Sequence, residues 1–267
     1  RLTRHGYFRY REKQKEKDIY AHFVKVKNVD DLNAQSDKLI FFPLHYQPEL
    51  TTSPDGGIYS QQWLAIKHLV EKLPAGFNSY GIDVSHHQQK IDWDTVFESS
   101  DSLISFVYCK ATEGVNHIDS QWERNRRILV EKNIANGAYH FFLPKKSAKQ
   151  QAIHFLSQYE IKKNDLPPVL DAELEGNSNQ QLISQMKIWL NYVETNTGRR
   201  PIIYTSYNLY SDLLKDAFSG HKFWVANYNT IESRFQDDEI IHWQYSDNGK
   251  VNGIKNRVDL NFSKIEF

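Results

Sequence analysis

Cysteine is almost missing from this 267-residue chain, and so is methionine: Cys109 and Met186 are the single examples of each. A lone cysteine rules out an intrachain disulfide. A core of this size needs no such staple, so the compartment stays open on that ground. Cys109 falls inside a β-prone run, where a buried, inert thiol is expected. Net charge is missing too, with 33 basic residues against 33 acidic, which argues against a nucleic-acid binder built on phosphate contacts. No apolar run approaches the roughly 20 residues of a membrane-crossing helix. No cysteine pairs and no His-Glu-x-x-His spacing signal zinc. His86 and His87, read as strand neighbours, would point to opposite faces and make a poor metal pair. Neither a metal nor a cofactor is expected.

Aromatic residues and β-prone runs are what the chain has in quantity. Eight short runs follow one another, each apolar at its start and polar or aromatic at its end: Tyr80 to Ser85, Ser105 to Lys110, Gly137 to Phe142, Pro168 to Glu173, Pro201 to Thr205, Phe223 to Tyr228, Ile240 to Tyr245 and Arg257 to Phe262. Helical patterns separate the earlier ones. Gln121 to Ile134 is amphipathic, with Asn136-Gly137 as its stop signal, and Ser147 to Tyr159 opens on a capping serine. Asn179 to Thr195 carries Leu182, Met186, Trp189, Leu190 and Val193 on one face and ends before Gly198. Strand alternating with helix implies a parallel sheet with crossover connections. After Tyr228 the rhythm changes. Tyr245 and Arg257 are too close for a helical crossover, and Asn248-Gly249 and Asn252-Gly253 are hairpin signals. The expectation is an α/β fold: a modified TIM-like barrel that starts as β/α units and closes with antiparallel pairing.

The fourth run ends in Asp171-Ala172-Glu173. Side chains two apart on a strand share a face, so both carboxylates project into one place. Two acids that close cannot ionise freely, and their pKa values are driven apart. One keeps a proton while the other stays charged, the division of labour that glycosidic cleavage requires. The bland alternative is a solvated strand end with two unrelated acids.

Taken in order, Gly81-Ile82-Asp83-Val84-Ser85-His86-His87-Gln88, Lys110-Ala111-Thr112-Glu113-Gly114, Gly137-Ala138-Tyr139-His140-Phe141, Leu170-Asp171-Ala172-Glu173, Trp224-Val225-Ala226-Asn227-Tyr228, Trp243-Gln244-Tyr245 and Val258-Asp259-Leu260-Asn261 make residues 80–267 resemble glycoside hydrolase family 25, the Chalaropsis-type lysozymes. The resemblance implies five β/α units and three closing strands, partly antiparallel. It also implies N-acetylmuramidase activity, cleavage of the β-1,4 bond between N-acetylmuramic acid and N-acetylglucosamine in peptidoglycan. Glu173 matches the family's general acid, and Asp171 its partner, as nucleophile or as a carboxylate that steers the substrate's own N-acetyl group. Asp83 and Asp259 match two further acids at the site. Either route would retain configuration, as fits carboxyls about 5 Å apart.

Tyr139, Tyr204 and Trp224 are expected to contact the sugar, since aromatic faces cover apolar sugar surface. Lys110, Glu113 and Gln244 are weaker candidates, and Trp93 and Trp189 read as packing residues. His140 is expected near the site as a hydrogen-bonding neighbour of it. The partner implied is the peptidoglycan glycan strand, met outside the cytoplasm by a monomer. A silent glycan-binding module that kept the groove is the alternative.

Residues 1–79 form a separate N-terminal α+β segment, expected to dock on the barrel or to remain partly disordered. Arg1 to Lys17 is basic, either solvated or juxtamembrane, and the start at Arg1 suggests a lost leader or anchor. Residues 39–74 are similar to a fragment of capsular-polysaccharide biosynthesis proteins, with a strand and turn from Lys38 to Glu49 and a helix from Ser60 to Leu73. A carbohydrate-biosynthetic or interaction role confined to this segment is the third reading.

Overall fold

The structure is a computed structural model that describes residues 76–98, 104–228 and 235–267. The chain divides into two units, Arg1–Leu69 and Val70–Phe267. The first lies wholly outside the described residues, and so do the expectations placed on residues 1–75.

Among the described residues nine strands form one sheet: β1 (Ser79–Val84), β2 (Ile104–Glu113), β3 (His117–Ile118), β4 (Ala135–Phe141), β5 (Val169–Asp171), β6 (Ile202–Ser206), β7 (Phe223–Ala226), β8 (Ile240–Gly249) and β9 (Val258–Ser263). Their order is β1-β9-β8-β7-β6-β5-β4-β2-β3, and β1 also pairs with β2, which closes eight strands into a barrel and leaves β3 outside it. Pairings from β1 through β8 around the barrel are parallel; β9 alone runs antiparallel to both of its neighbours, β8 and β1. Helices α1 (Trp93–Glu98), α2 (Trp122–Glu131), α3 (Ala148–Gln158) and α4 (Asn179–Thr197) follow β1, β2 with β3, β4 and β5, and short helical turns between Tyr207 and Ala217 follow β6. Five β/α units and three closing strands result, as expected. The closure is partly antiparallel, as the resemblance implies: β7 and β8 continue the parallel run and β9 supplies the antiparallel pairing.

Capping follows the local chemistry. Ser147 accepts from the Gln150 amide at the start of α3, and Ser178 from the Gln181 amide at the start of α4. Gly198 ends α4 at φ 66°, in the left-handed region that costs a glycine nothing. The α2 stop differs from expectation. The helix ends at Glu131 and the turn is made by Asn133 at φ 56°, whereas Asn136-Gly137 lies inside β4. Gly137 is there because a Cβ would meet the Tyr108 ring and Leu166. The closing hairpin also differs. Asn248-Gly249 is still strand, with Gly249 opposite Val258, and Gly253, at φ 90°, belongs to the turn.

Alternation along the strands sorts side chains into two layers. Phe106, Tyr108, Val169, Ile202, Tyr204 and Trp224 fill the barrel interior. Val107, Cys109, Ala138, Leu170 and Ile203 face outward and pack with Trp93, Phe155, Met186, Trp189 and Val193. Trp93 and Trp189 are packing residues, as read. Burial pushes the Cys109 thiol pKa up, which keeps it protonated. The barrel also reaches back before Tyr80: Phe77 is buried against Phe235, Trp243 and Phe262, and the Asn78 amide donates to the Ser263 carbonyl at 2.7 Å.

Candidate active site

A cavity of about 240 Å³ opens at the C-terminal ends of the parallel strands, the face where barrels of this kind carry their chemistry. Asp83, Asp171, Glu173 and Asp259 all line it, with Asp247 as a fifth carboxylate and Lys110 as the one lysine among the lining residues. Tyr139, Tyr204, Trp224 and Gln244 line it too. Glu113 does not. It reaches the site only through Lys110, whose Nζ bonds Glu113 Oε2 at 2.7 Å and lies 4.8 Å from the Phe141 ring centre.

The acidic pair is delivered by a very short strand. β5 ends at Asp171, yet Ala172 remains tied to the sheet: its amide donates to the Tyr204 carbonyl at 2.9 Å, and its carbonyl accepts from Thr205 Oγ1 at 2.9 Å. That anchorage carries the extended geometry one residue past the strand, and Glu173 enters the same cavity as Asp171. Asp171 is buried, and its Oδ1 has no hydrogen-bond partner among the described residues. Glu173 stands at the exposed mouth.

Burial, then the Glu173 charge, drives the Asp171 carboxyl well above the ordinary range, against the pull of Lys110. Glu173 is raised by burial, opposed by a hydrogen bond from Tyr204 and reinforced by the Asp83 charge. Asp83 and Asp259 face each other across β1 and β9. Asp259 is pushed up to about 9, by burial first and the Asp83 charge second. Burial raises Asp83 as well, but Asn261 Nδ2 at 2.8 Å and Gln244 Nε2 at 3.0 Å both donate to its Oδ1. Of the two, Asp83 is therefore the better-supported anion, and Asp259 holds the proton between them.

The aromatic residues divide by role. Trp224 is among the most buried residues, and its indole nitrogen donates to Asn261 Oδ1 at 2.8 Å. The Tyr204 and Tyr228 hydroxyls both donate to Gln244 Oε1 at 2.8 Å. Tyr228 is also exposed at the rim. Tyr228, Asp247 and Asn261 were not among the candidates read from sequence. Tyr228 ends a β-prone run and was open to the same reasoning as Tyr139. Asp247 was hidden by an Asn-Gly pair taken for a turn, and the role of Asn261 depends on register, Gln244 opposite Asn261 and Asn261 opposite Gly81.

Two histidine expectations are corrected. His140 points away from the cavity into the helix layer. It bonds Thr112 Oγ1 at 2.7 Å and Gln151 Oε1 at 3.2 Å and stacks on Trp189. Tyr139 and Phe141 face in, so strand alternation sends His140 out. His86 and His87 lie on a 3-10 turn rather than a strand, capped by Ser85, and their ring centres are 4.0 Å apart. His86 Nδ1 is held by the buried Asp119 at 2.7 Å, and His87 lines the cavity. Among the described residues no group of three or more His, Cys, Asp or Glu side chains has a geometry that could hold a metal ion.

Comparison with known proteins agrees with this arrangement. The model of glycosyl hydrolases family 25 matches residues 82–254. An uncharacterized protein, YegX of Escherichia coli K12, is 38% identical over 201 residues, covering 73% of each chain. Lysozyme M1 of Streptomyces globisporus is 33% identical over 201 residues, covering 68% of this chain and 66% of the relative. A family 25 glycosyl hydrolase from Bacillus anthracis superposes with a TM-score of 0.63 at 26% identity, covering 71% of this chain and 90% of the other. The lysozyme of Streptomyces coelicolor does so at 0.60 and 32% identity, covering 69% and 91%. Four acids from three strands in one cavity, on a closed barrel of five β/α units, are matched by a family model spanning most of that barrel, and the chain belongs to glycosyl hydrolase family 25.

Proposed function

We propose that this family 25 hydrolase is an N-acetylmuramidase that cuts the β-1,4 bond after N-acetylmuramic acid in peptidoglycan, with Glu173 as the acid that protonates the departing oxygen. The observation that carries the reading is the convergence of Asp83, Asp171, Glu173 and Asp259 on one cavity walled by Tyr139, Tyr204 and Tyr228. Glu173 suits the acid's task because it is raised in pKa and stands where an incoming glycan meets it. Once the bond breaks, the same carboxylate takes a proton from the incoming water.

Asp171 lies deeper. Its Oδ1 is buried without a partner, and an acceptor left open in a dry place favours receiving a donor from the substrate. The N–H of the 2-acetamido group supplies one, which would turn the acetamido oxygen toward the anomeric carbon. Direct attack by Asp171 is the other route, and it requires the raised Asp171 carboxyl to give up its proton first. Both give retention. Asp83 and Asp259 hold one proton between them, which limits the negative charge a sugar must approach. The substrate places the enzyme's work in the cell wall, outside the cytoplasm, and no helix among the described residues is long and apolar enough to cross a membrane.

Digestion of purified peptidoglycan, with the products read by mass spectrometry, tests the assignment. Reducing-end N-acetylmuramic acid is expected, and Glu173→Gln should slow its release by about a hundred- to ten-thousand-fold. Reducing-end N-acetylglucosamine would overturn the bond assignment. Binding to peptidoglycan without any cleavage by the wild-type chain would favour a silent glycan-binding module.

A further inference from the structure

Lys110 is the one lysine among the residues lining a cavity that holds five carboxylates, and its side chain is 8% exposed. An ammonium carries three donors and no acceptor. Among the described residues one donor is engaged, by Glu113 Oε2 at 2.7 Å, and the Phe141 ring centre lies 4.8 Å from Nζ. No hydrogen bond joins Lys110 to Asp171 or Glu173 among those residues. Two donors are therefore left over at a nearly buried nitrogen beside the cavity. Donors left in such a place favour an acceptor brought by a ligand.

The backbone of β2 is shaped around this pairing. Lys110 and Thr112 stand opposite the consecutive residues Tyr139 and His140, so Ala111 is an extra residue, a bulge. In a regular strand Thr112 would share a face with Lys110. The bulge instead turns Thr112 outward, where it bonds His140, and brings Glu113, opposite Phe141, to the side of Lys110. Lys110 thus gains a fixed partner of opposite charge that is not one of the acids lining the cavity. Phe141 in turn lies opposite Asp171, which puts Lys110 on the β4 side of that acid. The other side offers an anion little. The Tyr204 and Tyr228 hydroxyls give their protons to Gln244, and Asp83, Asp247 and Asp259 are acids.

Muramic acid differs from glucosamine by a lactyl ether on C3. Its acyl carbon is a carboxylate in a bare glycan and an amide carbonyl where a stem peptide is attached, and both present an acceptor oxygen. C3 adjoins C2, whose acetamido group belongs against Asp171 on the muramidase reading, so the lactyl group falls beside that acid. A carboxylate entering among five others needs a cation there. We propose that Lys110, braced by Glu113, is a specificity-determining residue that donates to the acyl oxygen of the lactyl group and so separates muramyl glycan from chitin. This rests on the muramidase reading.

Calorimetric binding to the full chain carrying Glu173→Gln, which suppresses cleavage, tests it. Three tetrasaccharides serve: alternating N-acetylglucosamine and N-acetylmuramic acid with free lactyl carboxyls, the same glycan with those carboxyls joined to alanine amide, and chitotetraose. Adding Lys110→Met should weaken the free-acid glycan about tenfold and the amide about threefold, and leave chitotetraose within about a factor of two. Loss confined to one lactyl-bearing glycan supports the proposal and tells which form is read. Equal weakening of all three would show that Lys110 holds an acetamido oxygen common to them, and no weakening of any would show that it holds nothing; either result overturns the proposal. Where Lys110→Met fails to fold, the chain that keeps Lys110 decides. Chitotetraose bound about tenfold more weakly than a lactyl-bearing glycan supports the assignment, and chitotetraose bound as tightly as both overturns it. Failure of the wild type to release muramic-acid ends would sink the muramidase reading by a separate measurement.

Discussion

His242 offers a sharp test of how the barrel interior is built. The ring lies on the inner face of β8, fully buried, and neither nitrogen has a hydrogen-bond partner among the described residues. Phe106 stacks on it with ring centres 5.3 Å apart, and Tyr108, Trp224 and Phe267 complete the enclosure. Burial alone depresses its pKa to about 3 from an ordinary 6.5. In the unfolded chain the imidazole takes up a proton below about pH 6.5, whereas in the fold it cannot, so stability is present above that pH and is lost as pH falls toward 3. At about pH 4.5 the loss from this one side chain is about 3 kcal/mol, two pH units at about 1.4 kcal/mol each. His242→Leu fills similar space without polar atoms. It should stabilise the fold by about 1–3 kcal/mol near neutrality, the penalty of an unmet buried polar group, and by about 3 kcal/mol more at pH 4.5. Urea unfolding of both chains at the two pH values measures this directly. Comparing variant with wild type at one pH cancels the site acids, whose raised pKa values act with the opposite sign. If the variant's advantage is the same at both pH values, the neutral, unpartnered histidine is the wrong description.

Other consequences are measurable in the same way. Asp259, raised to about 9, binds a proton in the fold that the unfolded chain releases near pH 4, so its contribution declines as pH rises across that window. Asp259→Asn keeps a donor toward Asp83 and removes the ionisation, and its gain in unfolding free energy from urea titration should grow from pH 5 to pH 8, reaching about 2–4 kcal/mol; a gain that does not grow contradicts a protonated Asp259. Gly253→Ala should destabilise by at least about 2 kcal/mol, since φ is 90° and a Cβ would strike the Asp92 carbonyl oxygen and Val96; an unchanged melting temperature would be inconsistent with that turn. A chain shortened to begin at Gly76 keeps every strand of the closed barrel, and its rate of clearing a cell-wall suspension should match the full chain. Lost clearing by a folded product would give residues 1–75 a part in the reaction.

What the sequence could announce depended on the range of the interaction. Period-two alternation placed Asp171 and Glu173 on one face, and serine caps with a terminal glycine marked α3 and α4, because those signals act within a few residues. The family resemblance supplied Asp83 and Asp259, which no spacing rule joins to Glu173 across the chain. Readings failed where a distant neighbour decided the outcome. Asn136-Gly137 and Asn248-Gly249 look like turns in isolation. Gly137 is in fact demanded by the Tyr108 ring and Gly249 by Leu260, which occupies the space of its Cβ. In both cases a close approach between strands, rather than a reversal of the chain, called for glycine.

The same cause hides the polar network around Gln244 from a reading of the sequence. Its neighbours in sequence, Trp243 and Tyr245, face the other way, and Trp243 donates to the Asn227 carbonyl outside the barrel interior. Only pairing of β8 with β9 brings Asn261 alongside, and only closure of β9 onto β1 brings Asp83 within reach of both amides. The antiparallel strand that seals the barrel thus also completes the polar network beneath the acids. Had β9 run parallel, like the others, its inward positions would have met β1 from the opposite end, and Asp83 and Asp259 would not stand face to face to share one proton. In this fold the way the sheet closes and the protonation of the site are one structural decision, since both depend on the direction of that last strand.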